Sequence, residues 1–147
     1  MIAIDANILV YARREECPEH PVARPLLRGL VVGDRPWAIP WPCVYGFLRV
    51  VTDSRIFRPP TPLDHALEDL EGILASPTLT ILGEGPVHRS HFRRCVLDSR
   101  ATGNLVHDAH IAALAIEHGV TEFLSHDHDF SKFPGLRWRD PFLPRRA

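Results

Sequence analysis

Cysteine is scarce in this chain and lysine is scarcer still. The three cysteines, Cys17, Cys43 and Cys95, are odd in number and far apart, and they form neither a C-x-x-C pair nor a zinc-type spacing. That excludes a disulfide framework, and reduced thiols in a cytosol are the expected state. Long apolar runs are missing too: none approaches the roughly 18 residues that a membrane span needs. MIAID reaches a carboxylate at Asp5, too soon for a secretory apolar region. The expectation is a soluble, cytoplasmic protein with no membrane association. There is no excess of charge either, because Lys+Arg 17 against Asp+Glu 18 leaves a net charge of -1. Lys132 is the only lysine, so the cations are almost all arginines, whose planar fork suits phosphate oxygens. No glycine-rich turn follows the first strand candidate, where Ala6 and Asn7 stand instead, and this argues against dinucleotide binding. No serine–histidine–acid order or activated cysteine offers a nucleophile.

What is present alternates between two periods. Ile2 to Asp5 is a short apolar run that reads as a buried strand, and Asn7 to Tyr11 suits a helix. Pro21 opens a helix toward Leu30 that Pro25 should bend or shorten. Trp37 to Pro40 is a second strand, and Pro42 opens a helix with Val44, Phe47, Leu48 and Val51 on one apolar face. Thr61, Pro62 and Asp64 signal a capped helix start, and Leu63, Ala66, Leu67, Leu70, Ile73 and Leu74 form its stripe. Thr78 to Leu82 is a strand, followed by a helix from about Pro86 that carries Arg89, Arg93, Arg94 and Arg100. Leu105 to His118 is an alanine-rich helix that Gly119 ends. Thr121 to Ser125 and Leu136 to Trp138 are the remaining strand candidates.

Strands alternating with helices imply an α/β fold with a central, mostly parallel sheet covered on both faces. With no repeat or linker, one domain over 1–147 is expected. In such sheets ligands bind beyond the carboxyl ends of the strands. Asp5, Asp127 and Asp129 fall at that rim, and Asp108 falls in the first turn of the alanine-rich helix. Each has an ordinary explanation alone: Asp5 as a helix cap, Asp108 as a partner of the helix dipole, Asp127 and Asp129 as turn residues. Only their joint placement points to chemistry. Carboxylates about 4 Å apart repel by ~4 kcal/mol per pair at an effective dielectric near 20, so gathering them calls for a cation. Hard oxygen ligands favour Mg²⁺ or Mn²⁺, and the matching substrate is a phosphodiester attacked by a metal-activated water. Asn7 suits holding a carboxylate by its amide. His107, His110, His126 and His128 are dispersed over a helix and a loop, and read as solvated or supporting side chains.

Four stretches then carry a resemblance. Asp5 to Tyr11, Trp41 to Thr52, Asn104 to Ala113, and Asp127 to Phe130 with Phe133 and Pro134 are similar, in order and spacing, to the successive motifs of VapC-type PIN-domain toxins. The resemblance covers nearly the whole chain. It implies a three-layer α/β/α sandwich and an Mg²⁺- or Mn²⁺-dependent endoribonuclease of a type II toxin–antitoxin system. By motif match Asp5, Asp108 and Asp127 are the metal-site acids, with Asn7 and Asp129 supporting them. A homodimer, an RNA substrate and a cognate antitoxin are implied as partners, with DNA met only through the antitoxin.

One position departs from the pattern. Gly46 stands between Tyr45 and Phe47 where the family places a glutamate. A glycine inside a helix costs ~0.5 to 1 kcal/mol relative to alanine, so it is read first as a loss-of-function change that lets a toxic protein be produced. A degenerate natural copy and a shifted ligand are the other readings of that position. Ala6, where the family often has a hydroxyl residue, is a milder departure. The rival functions are a catalytically silent PIN-like module that holds an antitoxin or RNA, and a phosphotransferase or phosphatase with Asp5 as nucleophile. The second is disfavoured because Asn7 stands where a second aspartate is wanted.

Overall fold

Short apolar runs without alternation belong to strands buried on both faces, and Ile2–Ile4, Trp37–Pro40 and Glu122–Leu124 form such strands at the centre of the sheet. The computed structural model describes residues 1–144. Its strands β1 (Ile2–Ile4), β2 (Trp37–Pro40), β3 (Leu79–Leu82), β4 (Glu122–Leu124) and β5 (Trp138–Arg139) make one sheet in the order β3-β2-β1-β4-β5. Every pairing is parallel, with Ala3 beside Ala38 on one side and Phe123 on the other. The helices are α1 (Ala6–Arg13), α2 (His20–Val32), α3 (Trp41–Val51), α4 (Leu63–Leu74), α5 (His88–Ser99) and α6 (Leu105–Glu117). The first four pack together, α1 on α2 and α3 and α3 on α4, while α5 packs on α6. This is the α/β/α sandwich expected.

The connections fix where a ligand can reach. The chain steps outward from β1 to β2 and β3, then crosses back through α5 and α6 to β4 on the other side of β1. The order therefore reverses between β1 and β4, and a crevice opens beyond the carboxyl ends of those two strands. Trp37, Ala38, Ile39, Ala3, Ile4, Phe123 and Leu124 are fully buried in the sheet. Each large apolar side chain buried in this way stabilises the fold by roughly 1.5 to 3 kcal/mol.

Several local expectations need correction. Pro25 lies inside α2 and neither stops nor shortens it; the missing N–H costs one hydrogen bond, while Ala23, Leu26, Leu27, Leu30 and Val31 keep packing on the core. Thr61 does not cap α4, whose cap residue is Pro62; the Thr61 hydroxyl instead accepts a hydrogen bond from Arg14 Nη1 at 3.1 Å. α5 begins at His88 instead of Pro86, and Arg100 lies beyond it in the left-handed conformation that turns the chain. The last strand is Trp138–Arg139, two residues later than expected at its start. Gly119 does end α6: with φ at 67° it donates to Ile116 O at 3.1 Å, and Val120 donates to Ala115 O at 2.9 Å. That pair of bonds satisfies the last free carbonyls of the helix.

Phe123 joins the sheet to the loop that follows β4, since its ring lies 4.8 Å from that of Phe130. Phe123→Ala is expected to lower unfolding stability by about 3 to 5 kcal/mol in chemical denaturation. A loss below 1 kcal/mol would show that this part of the sheet is not the packed core described.

Candidate metal centre

The centre is built outward from the end of β1. Asp5 follows that strand with extended backbone angles and caps α1, its Oδ1 accepting the Ala6 N–H at 2.7 Å. Its Oδ2 accepts from Asn7 Nδ2 at 3.0 Å and from Ser125 Oγ at 2.7 Å, and the Cys43 thiol approaches Oδ1 at 3.4 Å. Only 7% of Asp5 is exposed. Burial, more than any other influence, pushes its carboxyl above the usual range; the hydrogen bonds oppose this and the charge of Asp127 adds to it.

Across the crevice, Asp127 ends the extension of β4. Its Oδ1 accepts the Asp129 N–H at 2.9 Å, starting the 3₁₀ helix His128–Lys132. Asp108 comes from the first turn of α6. Asp108, Asp127 and Asp129 each offer a carboxylate oxygen, all within 4.8 Å of one another. Burial first, and then the charges of Asp127, Asp5 and Asp129, push Asp108 up to about 7, with Lys132 opposing. The ordinary explanations of Asp5 as a cap and Asp127 as a turn residue thus hold, and Asp108, Asp127 and Asp129 come together beside them. The tight trio contains Asp129 where Asp5 was expected; Asp5 is outside it, occupied by its four donors.

A carboxylate driven to about 7 by burial first and then by its acidic neighbours fits a site for a cation. All the acids offer hard oxygen donors, the Cys43 thiol is pushed well above its ordinary value by burial, and among the described residues no histidine joins the acidic trio. The donor chemistry suits Mg²⁺ or Mn²⁺.

Three residues that matter here were not singled out in the sequence. Ser125 is fully buried, donates to Asp5 Oδ2 and accepts from Asn7 Nδ2 and the Asp127 N–H, each at 3.0 Å, so one hydroxyl ties β1 to β4. Its position two residues before Asp127 at a strand end was the available signal. Cys43 touches Asp5 from α3, and Lys132 holds Asp129 at 2.7 Å. Asn7 behaves as expected: its amide grips Asp5 and Ser125, and its Oδ1 accepts the His126 N–H at 3.3 Å.

Gly46 lies one helical turn past Cys43 on α3, and a Cβ placed there would come within 3.1 Å of Ala6 Cβ. Glycine therefore lets α3 approach α1 beside Asp5, a packing reason that the sequence did not disclose. The histidines divide. His126 pairs with Asp140 at 2.9 Å, and His128 packs against Trp138. His110 sits with Glu84 and His88, away from the acids. Arg93 and Arg94 are exposed along α5, where they line a groove with Ser90, His91, Leu97 and Asp98.

Comparison with known proteins agrees with this fold. The PIN domain family matches residues 2–136. A VapC ribonuclease of Mycobacterium bovis, Mb2897, is 41% identical over 141 residues, covering 96% of this chain and 95% of that protein. VapBC2 of Rickettsia felis, solved bound to a DNA fragment from its promoter, superposes with a TM-score of 0.69 at 18% identity, covering 95% of this chain and 98% of that one. VapC20 of Mycobacterium tuberculosis, described as a sarcin–ricin loop cleaving toxin, superposes with a TM-score of 0.63 at 15% identity, covering 93% of this chain and 99% of that one. The chain belongs to the PIN domain family. Within it, the chain is of the VapC toxin ribonuclease type.

The raised Asp108 carboxyl has a measurable consequence. A group whose folded pKa exceeds its unfolded value contributes stability at low pH, and loses it as pH rises through the folded value. Without divalent cation, the melting temperature should fall from about pH 4 toward and past pH 7, where Asp108 ionises. Asp108→Asn should flatten that slope, and Mg²⁺ should offset it. An Asp108→Asn profile that keeps the wild-type slope would place the repulsion elsewhere.

Proposed function

We propose that this chain is a divalent-metal-dependent endoribonuclease, the toxin of a type II toxin–antitoxin pair. The observation that carries the reading is the placement of Asp108 within 4.8 Å of Asp127 and Asp129, at the strand-order reversal, with its carboxyl pushed up to about 7. Asp5, Asp108 and Asp127 hold Mg²⁺ or Mn²⁺, with Asp129 and Asn7 supporting them. When bound, the cation supplies positive charge at the phosphodiester and lowers the pKa of an attacking water.

The chain's own residues do the rest. Ser125 and Asn7 fix the Asp5 carboxylate, so it needs no reorganisation when substrate arrives. Lys132, bridged to Asp129, sets a positive charge beside the acids where a phosphate would otherwise be repelled. Arg49, Arg93 and Arg94 are exposed and available to the RNA backbone. A cognate antitoxin and a second copy of the chain are the protein partners, with DNA met only through the antitoxin; the similar VapBC2 of Rickettsia felis was solved bound to a DNA fragment from its promoter. The toxin acts in the cytoplasm.

In this proposal Gly46 leaves the site one carboxylate short and its activity impaired. A second reading, a silent PIN-like module that holds an antitoxin or RNA, draws its support from the same glycine, whose packing against Ala6 gives it a structural use.

Asp5→Ala or Asp108→Ala should reduce Mg²⁺-dependent cleavage of RNA by at least about 100-fold, the scale of losing one electrostatic stabiliser, with wild-type products carrying 5′-phosphate and 3′-hydroxyl ends. Persistent cleavage by either variant would remove the proposed centre. Gly46→Glu should raise cleavage in Mg²⁺. Unchanged cleavage would mean that the aspartates alone complete the site, and absence of cleavage in every form would favour the silent module.

A further inference from the structure

A second group of ligating side chains stands apart from the acids. Glu84 from the loop after β3, His88 from the first residue of α5 and His110 from α6 each offer one donor atom, all within 4.8 Å of one another. We propose that Glu84, His88 and His110 form a second cation site, one for a divalent transition metal of the zinc class, with the buried Glu117 carboxylate positioning His88.

The donor set separates this group from the acidic centre. Two imidazoles and one carboxylate match the ligands zinc takes, whereas Mg²⁺ prefers oxygen throughout. Three protein ligands leave a fourth position open to solvent, and the group is reachable: Glu84 is 59% exposed by side chain and His110 31%. His88 and His110 meet edge to face with ring centres 5.2 Å apart, at the wall of a cavity of about 290 Å³ that Phe92, Val106 and His107 also line.

Glu117 supplies the independent observation. Its side chain is only 5% exposed, and its Oε2 lies 3.2 Å from His88 Nδ1 and accepts the Gly85 N–H at 3.2 Å. Facing that carboxylate, Nδ1 carries the proton, and Nε2 keeps its lone pair for a cation. A carboxylate behind a ligating imidazole is the arrangement that fixes ring orientation and raises basicity at metal sites. The other oxygen, Oε1, is buried without a hydrogen bond of ordinary length, although the Val87 N–H exerts a weaker pull on the carboxylate. Such a buried, incompletely paired charge is costly unless positive charge stands near it. Gly85 makes the room, since a side chain there would collide with the Glu117 carboxylate.

Closing the site needs little movement. At zinc distances of about 2.0 to 2.2 Å, tetrahedral donors sit roughly 3.3 Å apart, so the three atoms must draw in slightly. Glu84 now pairs with His110 Nε2 at 2.8 Å. An exposed pair of this kind contributes little, so inserting a cation between its members gives up little. Glu84 also lies between Gly83 and Gly85, and the Gly83 carbonyl is held by His118 Nε2 at 2.8 Å. A bound cation would clamp the loop after β3 to α5 and α6.

The test uses Co²⁺ as a visible probe and Zn²⁺ as its competitor, on the full chain and on Asp127→Asn, which disables the acidic centre. Asp127→Asn should bind one Co²⁺ and the full chain at least that one, with ligand-field bands that Zn²⁺ abolishes, and both should melt at higher temperature with Zn²⁺. His88→Ala, His110→Ala and Glu84→Gln should each weaken Co²⁺ binding by about 10-fold or more; Glu84 is exposed, so its variant carries the test even where a histidine variant fails to fold. Glu117→Gln should weaken binding about 10- to 100-fold while the bands remain. No Co²⁺ binding, binding lost with Asp127→Asn, or binding in Asp127→Asn that survives Glu84→Gln would overturn the site. Unchanged affinity in Glu117→Gln would remove its positioning role.

Discussion

Electrostatic repulsion among aspartates held at one end of a parallel sheet is the constraint around which the rest of this molecule is arranged. Like charges do not stay together unaided, and here the backbone holds them. Asp5 is fixed by the N-terminus of α1, Asp127 by the turn it caps, and Asp108 by the first turn of α6. The Ser125 hydroxyl joins the two sides, donating to Asp5 and accepting from Asn7 and Asp127. Burial first, and then this gathering of charge, push the Asp108 carboxyl up to about 7. A hard cation is the economical way to relieve it, and the topology opens the crevice where that cation and a phosphodiester can both reach.

Much of this was legible in the sequence because the signals were local. Short apolar runs became the five strands, and the glycine after an alanine-rich helix ended it by the expected pair of bonds. Asp5, Asp108 and Asp127 could be placed at one rim because strand ends and helix starts share that rim in a parallel sheet. What local pattern did not show depended on contacts between distant segments. Thr61 has the form of a cap, yet its hydroxyl is taken by Arg14, 47 residues earlier. Ser125 looks like any strand-end serine until Asp5 is brought beside it, 120 residues away in the chain. Pro25 obeys its local rule only weakly, because the apolar face around it packs well enough to carry α2 through one lost hydrogen bond.

Gly46 and the histidines show the same limit at the sites themselves. Inside one helix the glycine has no use; its use is the close approach of α3 to Ala6, visible only when the two helices are packed. His110 reads as one of four scattered histidines, whereas Glu84 and His88 come to it from the loop after β3 and the start of α5. Among the described residues the two ligand groups are thus chemically distinct, one all oxygen and the other mostly imidazole.

The central claim is that the gathered aspartates hold a divalent cation, and the most direct test is anomalous diffraction from crystals soaked in Mn²⁺. The account predicts a manganese peak in the crevice beyond β1 and β4, with carboxylate oxygens of Asp108 and Asp127 directly on it and Asp5 on it or one water removed. Crystals that place no manganese there, with the three aspartates still converging, would contradict it.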